Sequence, residues 1–388
     1  MALPLKYNFR NVFVRWRATI ATVLGVALVV AVFVLVQSLA AGLEQASRNT
    51  GDPRNIMIVR KGATAESSSQ VTREQFKTIK YLPQIERDAK DQPLVSADVV
   101  VLISLPRVGA TNGEANISVR GITPAGMQLR PQVSLVEGRW FVPGKREAVV
   151  SRRIGERFDN CHVGQSFKTG GHEFTVVGLM EGGGTAFDSE IWLDADEARS
   201  VFDRENYSSV LVRAVSPEAA EQLINRVESD KRYPLRAVVE VKFYGEQTRT
   251  AVPIKVLGNL LGTAMSIGAI FAAMNTMYAS VGARTREIGT LRVLGYRRRT
   301  VLGSFVLEGA MLAGIGGILG CVLALPLHGY STGMMSFDTW GEVAFQFRIT
   351  PWLAAKGLLF ALAIGAIGSL LPAIRASRLP VIAALKAV

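Results

Sequence analysis

Four long stretches of the sequence carry almost no charge, and they limit what the chain can fold into. Residues 18–43 and 256–283 have no charged side chain, and residues 301–328 and 351–374 have one each. Each stretch exceeds the roughly 20 residues that a helix needs to cross a hydrocarbon core. Because backbone groups in lipid must bond within their own segment, such stretches are expected to be helical. The sequence therefore predicts four transmembrane helices.

The positive charge of the chain lies beside these stretches. Residues 1–17, 284–299 and 375–388 carry net charges of +4, +5 and +3, which account for the whole formal net charge of +12. Lys and Arg near the ends of short membrane segments mark the cytoplasmic side. The pattern predicts a multi-pass membrane protein, in contact with lipid, with both termini and the loop 284–300 in the cytoplasm. It also explains the basic composition without a nucleic-acid partner.

A cleaved signal peptide is the alternative interpretation of the first stretch. Its apolar run is about twice as long as the 7–15 residues of a signal peptide's apolar region. Removing it would also leave three spans and place one basic segment on the wrong side. We therefore interpret residues 18–43 as a membrane span.

The segments 44–255 and 329–350 are then extracytoplasmic (periplasmic). The first is long enough to bury a core of its own, and the second is a short outer loop. Runs rich in Val, Ile and Phe alternate with short amphipathic segments in 44–255, which predicts an α+β domain. The predicted strands are Asn55–Arg60, Ala97–Leu105, Ala115–Arg120, Glu147–Ser151, Glu173–Val177, Glu190–Leu193, Ser208–Val215 and Arg236–Lys242. The predicted helices are Thr72–Leu82, Ala195–Phe202 and Pro217–Asp230, the last with Ser216 as its N-cap.

The sequence contains no recognisable catalytic, metal or cofactor site. Cys161 and His162 are adjacent but lack a third group at metal-ligand or nucleophile spacing, so we interpret them as ordinary loop residues. The glycines 182–184 lack the Gly-Lys-Ser/Thr ending of a phosphate-binding loop, and no such ending occurs anywhere in the chain. Any ATP that drives this protein is therefore not bound by a P-loop in this sequence.

The loop 284–300 combines six arginines with apolar residues at three-residue spacing, Ile288, Leu291 and Leu294. This spacing predicts a short amphipathic helix that ends at Gly295. A positive connector explains the arginines but not the apolar residues. An apolar face with a basic rim suits a groove on a cytoplasmic partner.

At this loop the sequence resembles the MacB/FtsX family of ABC transporter permeases. Glu287–Gly295 (EIGTLRVLG) is similar to the loop between that family's second and third spans, and Leu371–Leu385 (LPAIRASRLPVIAAL) is similar to its C-terminal signature. Gly138–Phe141, Val176–Gly178 and Ser189–Trp192 are similar to stretches of its extracytoplasmic core domain. The order of one span, a large outer domain and three further spans is also the family's order.

The resemblance implies a non-enzymatic permease of the bacterial inner membrane that forms a dimer with a second copy or a paralogue. Cytoplasmic ABC ATPase subunits would bind the permease and hold the ATP and Mg²⁺. The loop would be the coupling helix, and ATP-driven closure of the dimer would move the outer domains for efflux or envelope transport. A periplasmic adaptor and an outer-membrane channel would be further partners. Since 17 residues precede the first span, a separate ATPase chain is expected. The implied ATPase-coupling residues are Arg284, Arg286, Glu287, Ile288, Gly289, Leu291, Arg292, Leu294, Gly295 and Arg297.

Two other functions remain open at this stage. The same motion could relay a signal that activates a periplasmic enzyme such as a cell-wall hydrolase. A membrane-anchored enzyme with its site in 44–255 is a third hypothesis, and the missing set of catalytic side chains counts against it.

Small residues four apart in the spans predict close helix packing, although Gly and Ala are also simply common in membrane helices. These pairs are Gly258 and Gly262, Ala264 and Gly268, Gly316 and Gly320, and Gly365 and Ser369. Charged residues inside spans are candidates for function. Glu308 and Lys356 lie near the ends of their spans, which favours snorkelling or a local ion pair.

Overall fold

The computed structural model describes residues 16–109, 114–247, 251–335 and 342–380. It divides into two compact units. The membrane unit comprises Met1–Ala41, Pro253–Tyr330 and Phe347–Val388, and the outer unit comprises Gly42–Val252 and Ser331–Gln346. The fold class predicted from the sequence, a four-helix membrane bundle with an α+β domain between its first and second spans, is confirmed.

The described residues form eleven α-helices and twelve strands. The helices are α1 (Trp16–Thr50), α2 (Arg73–Lys80), α3 (Pro124–Leu129), α4 (Arg152–Gly155), α5 (Ala195–Val201), α6 (Pro217–Ser229), α7 (Glu240–Gln247), α8 (Ala251–Ala283), α9 (Thr285–Val293), α10 (Arg298–Ala324) and α11 (Pro351–Ser377). The strands are β1 (Asn55–Arg60), β2 (Val95–Pro106), β3 (Glu114–Ile122), β4 (Ser134–Gly138), β5 (Glu147–Ser151), β6 (Ser166–Thr169), β7 (His172–Glu181), β8 (Glu190–Asp194), β9 (Ser209–Arg213), β10 (Leu235–Val239), β11 (Ser331–Met335) and β12 (Glu342–Gln346).

Four of the described helices are long and apolar enough to cross a membrane. The candidate spans are Thr19–Ala46 in α1, Val256–Ala283 in α8, Arg298–Leu327 in α10 and the following 3₁₀ turn, and Pro351–Ser377 in α11. α1 continues beyond the predicted span to Thr50, so its last turns belong to the outer unit.

Ten strands of the outer unit form one sheet, in the order β10-β1-β9-β2-β3-β8-β5-β7-β4, with β6 paired to β7. Neighbouring strands are antiparallel apart from the pairs β3–β8 and β5–β7. Both faces of β1 are buried, because Ile56 and Ile58 pack into one apolar cluster while Met57 and Val59 pack into another. A central strand covered on both faces is expected to form a short continuous apolar run.

The sequence-predicted elements of the outer domain mostly agree with the structure. All eight predicted strands and three predicted helices are present, with ends that differ by a few residues. Ser216 caps α6 by accepting a hydrogen bond from the Ala219 amide at 3.1 Å, as expected. The end of the predicted strand Arg236–Lys242 is wrong, because the chain turns into α7 at Glu240. At the start of α7 the carboxylate of Glu240 accepts hydrogen bonds from Asp52 and Asn55.

The predicted outer loop 329–350 contains secondary structure that the sequence did not indicate. Strands β11 and β12 pair as an antiparallel hairpin, and β12 lies against the 3₁₀ turn Ala186–Ser189 of the outer unit. Residues 336–341 lie outside the described part of the chain. β4 and β6 were also not anticipated, since β4 is largely exposed and both strands are short.

Small residues of α10 bring its backbone close to that of α1. A Cβ atom at Gly316 would lie 2.8 Å from the carbonyl oxygen of Val23, and one at Gly320 would lie 2.5 Å from the carbonyl oxygen of Ala27. Neither approach leaves room for a side chain. This contact is the kind of close packing that small residues permit between membrane helices.

The remaining small-residue pairs differ in their surroundings. α10 and α11 meet where a Cβ atom at Gly309 would lie 2.5 Å from that of Ser369, and a Cβ atom at Gly365 would collide with the Gly309 carbonyl oxygen. α8 lies beside α1, with Gly258 against Val36 and Gly262 against Phe33. The Cβ position of Gly268 has no atom within 4 Å in the described chain, so the pair Ala264 and Gly268 is not a contact within one copy.

We expect Gly320→Ala to destabilise the membrane unit by about 1–3 kcal/mol, because the added methyl group must displace the backbone of α1. Gly303→Ala is the matched control in the same helix, because its Cβ would meet open space. Alanine at that position should be neutral or slightly stabilising. Thermal unfolding of the detergent-solubilised chain measures both, and an equal effect of the two substitutions would contradict the packing.

Candidate functional site

Helix α9 connects the spans α8 and α10 and is separated from each by a short break. Arg284 is the single non-helical residue between α8 and α9, and its carbonyl accepts the Ile288 amide at 3.0 Å. At the other end Gly295 adopts a φ of +89°. The Tyr296 amide bonds the carbonyl of Leu291 at 3.1 Å, and the Gly295 amide bonds that of Arg292 at 3.2 Å. This pair of bonds is the Schellman motif, which ends a helix at a residue with positive φ.

We expect Gly295→Ala to weaken this helix end, because a left-handed conformation costs a residue with a Cβ atom about 1–2 kcal/mol. The Cβ position itself is unobstructed, so the cost is purely conformational. Gly295→Asn is the control, since Asn tolerates this conformation. Hydrogen exchange of the Tyr296 amide should be about tenfold faster in the Ala variant and nearly unchanged in the Asn variant. Equal exchange in both variants would contradict the assignment.

The inner side of α9 is buried against the membrane helices. Ile288 is 2 % exposed and packs in an apolar cluster with residues of α8, α10 and α11. Gly289 is also buried, and Leu291 and Arg292 are half-buried. The cluster around Ile288 consists of Met277, Val281, Val301, Phe305, Ala373 and Ala376.

The segment between α8 and α10, which we call the connector, also has a solvent-exposed side. At the end of α9 this side carries an exposed apolar tip, Val293 and Leu294, whose exposed fractions are 60 % and 67 %. Exposed arginines precede and follow this tip in the sequence. The exposed polar and glycine positions of the segment are Arg286, Glu287, Thr290, Gly295, Arg297, Arg298 and Arg299. We call the tip together with these positions the connector surface.

The predicted common face of Ile288, Leu291 and Leu294 is wrong in the structure, because Ile288 points inward and Leu294 points outward. Three residues fall short of one helical turn of 3.6, so each step rotates the side chain by about 60°. Over two steps the rotation carries the apolar residues from the bundle to the surface. Val293, which sequence analysis did not single out, joins Leu294 at the tip.

Arg284 is not part of the connector surface. Its side chain is 7 % exposed, and its guanidinium binds the Glu308 carboxylate with two hydrogen bonds of 2.8 and 3.1 Å. Glu308 therefore has the local ion pair that was one of the two expectations for it. Lys356 is exposed, with its ammonium 5.6 Å from the ring centroid of Trp352.

The outer domain contains a buried ionic network that sequence analysis missed. The guanidinium of Arg120, which is 1 % exposed, pairs with Glu66 at 2.8 Å, Asp98 at 3.2 Å and Glu190 at 2.8 Å. Arg130 adds a second bond to Asp98 at 2.5 Å. These partners are far apart in sequence, so no local pattern indicates the cluster. Because both arginines are engaged with carboxylates inside the fold, the network is suited to holding elements together.

Glu66 shows how strongly this network stabilises negative charge. Burial alone would raise the pKa of its carboxyl group. The charge and hydrogen bonds of Arg120 and a hydrogen bond from Ser209 outweigh this effect and lower the pKa to about 2. A carboxyl group with a lowered pKa stabilises the fold above the pKa that it has when unfolded.

We expect the free energy of unfolding to fall as the pH drops from about 4.5 towards 2, because over this range the unfolded chain binds a proton at residue 66 that the folded chain does not bind. Glu66→Gln should flatten this part of the pH profile, whereas Glu114→Gln, at an exposed position, should not. Urea unfolding at a series of pH values measures the slope. An unchanged slope in Glu66→Gln would contradict the assignment.

A second buried carboxylate, that of Glu240, links the beginning and the end of the segment Gly42–Val252 of the outer unit. Glu240 Oε2, at the start of α7, accepts the Asp52 amide at 2.9 Å and the Asn55 side-chain amide at 2.9 Å. A Cβ atom at Gly51 would lie 2.5 Å from the backbone nitrogen of Val241. The segment that follows α1 is thus bonded to α7, which precedes α8 in the chain.

Cys161 and His162 form no shared site. Cys161 is fully buried in the apolar core, and burial followed by the nearby Asp159 charge raises the pKa of its thiol to about 12. His162 is exposed. A buried thiol of such high pKa is not a nucleophile at neutral pH.

Two sequence families match the chain. The family described as the MacB-like periplasmic core domain matches residues 19–230, and the FtsX-like permease C-terminal family matches residues 256–381. The fold and these matches define an ABC transporter permease component, a multi-pass protein of the inner membrane. The chain belongs to the MacB/FtsX family, which confirms the resemblance of its motifs.

Individual proteins and a solved domain are similar to parts of the chain. The uncharacterized ABC transporter permease YknZ of Bacillus subtilis (strain 168) is 26 % identical over 291 residues, which cover 70 % of each chain. The macrolide export ATP-binding/permease protein MacB of Hyphomonas neptunium is 26 % identical over 99 % of this chain. This chain spans 61 % of that relative's length. The crystal structure of the extracellular domain of YknZ from Gram-positive bacteria covers 47 % of this chain and 99 % of its own, with 18 % identity and a TM-score of 0.37.

Proposed function

We propose that this chain is a permease subunit that converts ATP hydrolysis by a separate cytoplasmic ABC ATPase into motion of its outer domain. The connector surface carries the proposal: an exposed Val293–Leu294 tip, with exposed arginines before and after it in the sequence, lies between two membrane spans in a member of an ABC permease family. The motion would serve efflux or envelope transport. ATP and Mg²⁺ would be bound by the partner ATPase.

The chemistry of the connector surface indicates what the ATPase must offer. Two exposed apolar side chains gain free energy when a groove covers them, at about 25 cal/mol per Å² of apolar surface. Arg286 and Arg297 flank the tip and would pair with acidic side chains at the rim of that groove. An apolar centre with a charged rim is the usual arrangement of a specific interface.

The ten predicted coupling residues differ in their exposure, and this difference suggests which of them would contact the ATPase. Those that are exposed supply the contact, and those that are buried support it from behind. The contact residues are Arg286, Glu287, Leu294, Gly295 and Arg297, with Val293 added. The supporting residues are Arg284, Ile288 and Gly289, with the half-buried Leu291 and Arg292 between the two groups.

The proposal also includes further partners and an orientation in the membrane. The chain would work with a second permease copy or a paralogue, and with a periplasmic adaptor and an outer-membrane channel where the cell has them. Both termini and the connector would face the cytoplasm, as the basic segments 1–17, 284–299 and 375–388 indicate.

Purification with the ABC ATPase encoded beside its gene tests the proposal. The tagged chain alone should not hydrolyse ATP, because its sequence contains no P-loop ending. The complex should hydrolyse ATP in lipid nanodiscs. Hydrolysis by the purified chain alone, or no binding of an ABC ATPase, would contradict the proposal.

A further inference from the structure

A buried ion pair joins Arg284, the residue between α8 and α9, to Glu308 in the first half of the membrane helix α10. Arg284 and Glu308 are 7 % and 5 % exposed, and both guanidinium NH₂ groups bond the carboxylate. Ser280 of α8 donates to Glu308 Oε1 at 3.5 Å. The pair therefore contacts α8, the start of α9 and α10 at one point.

Stability alone is a weak reason to place a charge pair there. Removing two charges from water costs about as much as their attraction returns, and apolar residues of similar volume are often at least as stabilising. What a two-bond Arg–carboxylate pair adds is a fixed geometry between the elements that carry it. Charged residues within membrane spans are costly and rare, and this makes them candidates for function.

The position of the pair shows which motion it would prevent. α9 is bounded by Arg284 on one side and by Gly295 on the other, and both are breaks in the helix. A short helix between two breaks can swing when it is pushed. The pair closes one of these breaks by fastening Arg284 to α10.

Glu308 lies next to a close approach of α10 and α11. The neighbouring residue, Gly309, touches Ser369 and the backbone of Gly365. One turn after Arg284, Ile288 packs among residues of α10 and α11. An ionic and an apolar contact thus fasten α9 to both of these helices.

We propose that Arg284 and Glu308 are positioning residues that lock α9 to α10, so that a displacement of the connector moves α10 and α11 as one body. Without the pair, the same displacement is absorbed at the α8–α9 break. This inference rests on the proposed function for the source of the displacement. It assigns Arg284 to transmission within the permease and not to contact with the ATPase.

The lock itself is tested on the full chain in nanodiscs, without ATPase. Glu308→Gln and Arg284→Gln should each accelerate amide exchange in residues 288–293 by about tenfold. The reciprocal double variant, Arg284→Glu with Glu308→Arg, should restore most of the protection. Lys356→Gln is the control, since it removes a charge from a span without touching the pair. Unchanged exchange in both single variants would overturn the lock.

Transmission is tested in the complex with the ABC ATPase. Glu308→Gln should bind the ATPase within about twofold of the unmodified chain and should retain ATP hydrolysis, but the ATP-dependent motion of the outer domain should be lost. The reciprocal double variant should recover it, which a merely destabilising role would not predict. Full motion in Glu308→Gln would overturn the inference. If the unmodified chain shows the lock but no response to ATP, the proposed function fails and the transmission role fails with it.

Discussion

Arg120→Ala is expected to unfold the outer domain or to leave it only marginally stable. The substitution removes the shared partner of Glu66, Asp98 and Glu190, all of which are buried. Breaking a buried pair costs about 3–5 kcal/mol because the remaining charge stays in the interior. Here three carboxylates lose a partner, against a total stability of about 5–15 kcal/mol for a typical domain.

Urea unfolding of the full chain in detergent, followed by tryptophan fluorescence, measures this loss. Trp192 is suited to report it, because it is fully buried and donates its indole N–H to Glu190 at 2.8 Å. Arg139→Ala is the matched control: Arg139 also binds a carboxylate, Glu147, with two bonds of 2.7 Å, but its side chain is 53 % exposed. Its effect should be small. Similar unfolding midpoints for the two variants would contradict the structural role of the network.

Leu294→Asp is expected to weaken binding of the ABC ATPase at least tenfold, about 1.4 kcal/mol, and to uncouple the complex. The side chain is 67 % exposed in this chain, so the substitution should not disturb the fold. In an apolar groove, however, the new carboxylate would lose its hydration without gaining a partner. A few residues at the centre of an interface carry most of its binding energy, so a single charged substitution there has a large effect.

Affinity measurement by titration of the ATPase onto nanodisc-embedded chain tests this prediction. Val215→Asp is the control, because Val215 is 57 % exposed but lies in the outer domain. It should leave the affinity unchanged. Raised salt should slow association of the unmodified chain, since the segment that carries the tip has several exposed arginines. Equal affinities for the two Asp variants would show that the tip is not in the interface.

The sequence was most informative where the physical rule is local. Uncharged stretches define the spans, and Ser216 followed by Pro217 defines the start of α6. The predicted end of the strand Arg236–Lys242 was wrong because Glu240 forms hydrogen bonds with Asp52 and Asn55, which lie in a distant segment of the chain. A local pattern contains no information about such partners.

The candidate site was predicted only in part for the same reason. The basic and apolar residues of 284–300 indicated an amphipathic connector, but their helical spacing alone could not show that Ile288 is covered by α10 and α11. The ion pair of Arg284 depends on a residue of α10. The Arg120 network joins residues that are scattered along the chain and become neighbours only in the folded sheet.

If ATP hydrolysis by a partner moves the outer domain, the distance between the outer domains of two permease copies should depend on ATP. Tyr81→Cys places a spin label at a position of the outer domain that is 70 % exposed, in a background with Cys321→Ser, while Cys161 is protected by burial. Pulsed electron paramagnetic resonance would be recorded on the nanodisc complex of two permease copies with the ATPase. We predict different distance distributions without nucleotide and with ATP bound. Identical distributions in a complex that hydrolyses ATP would contradict the account.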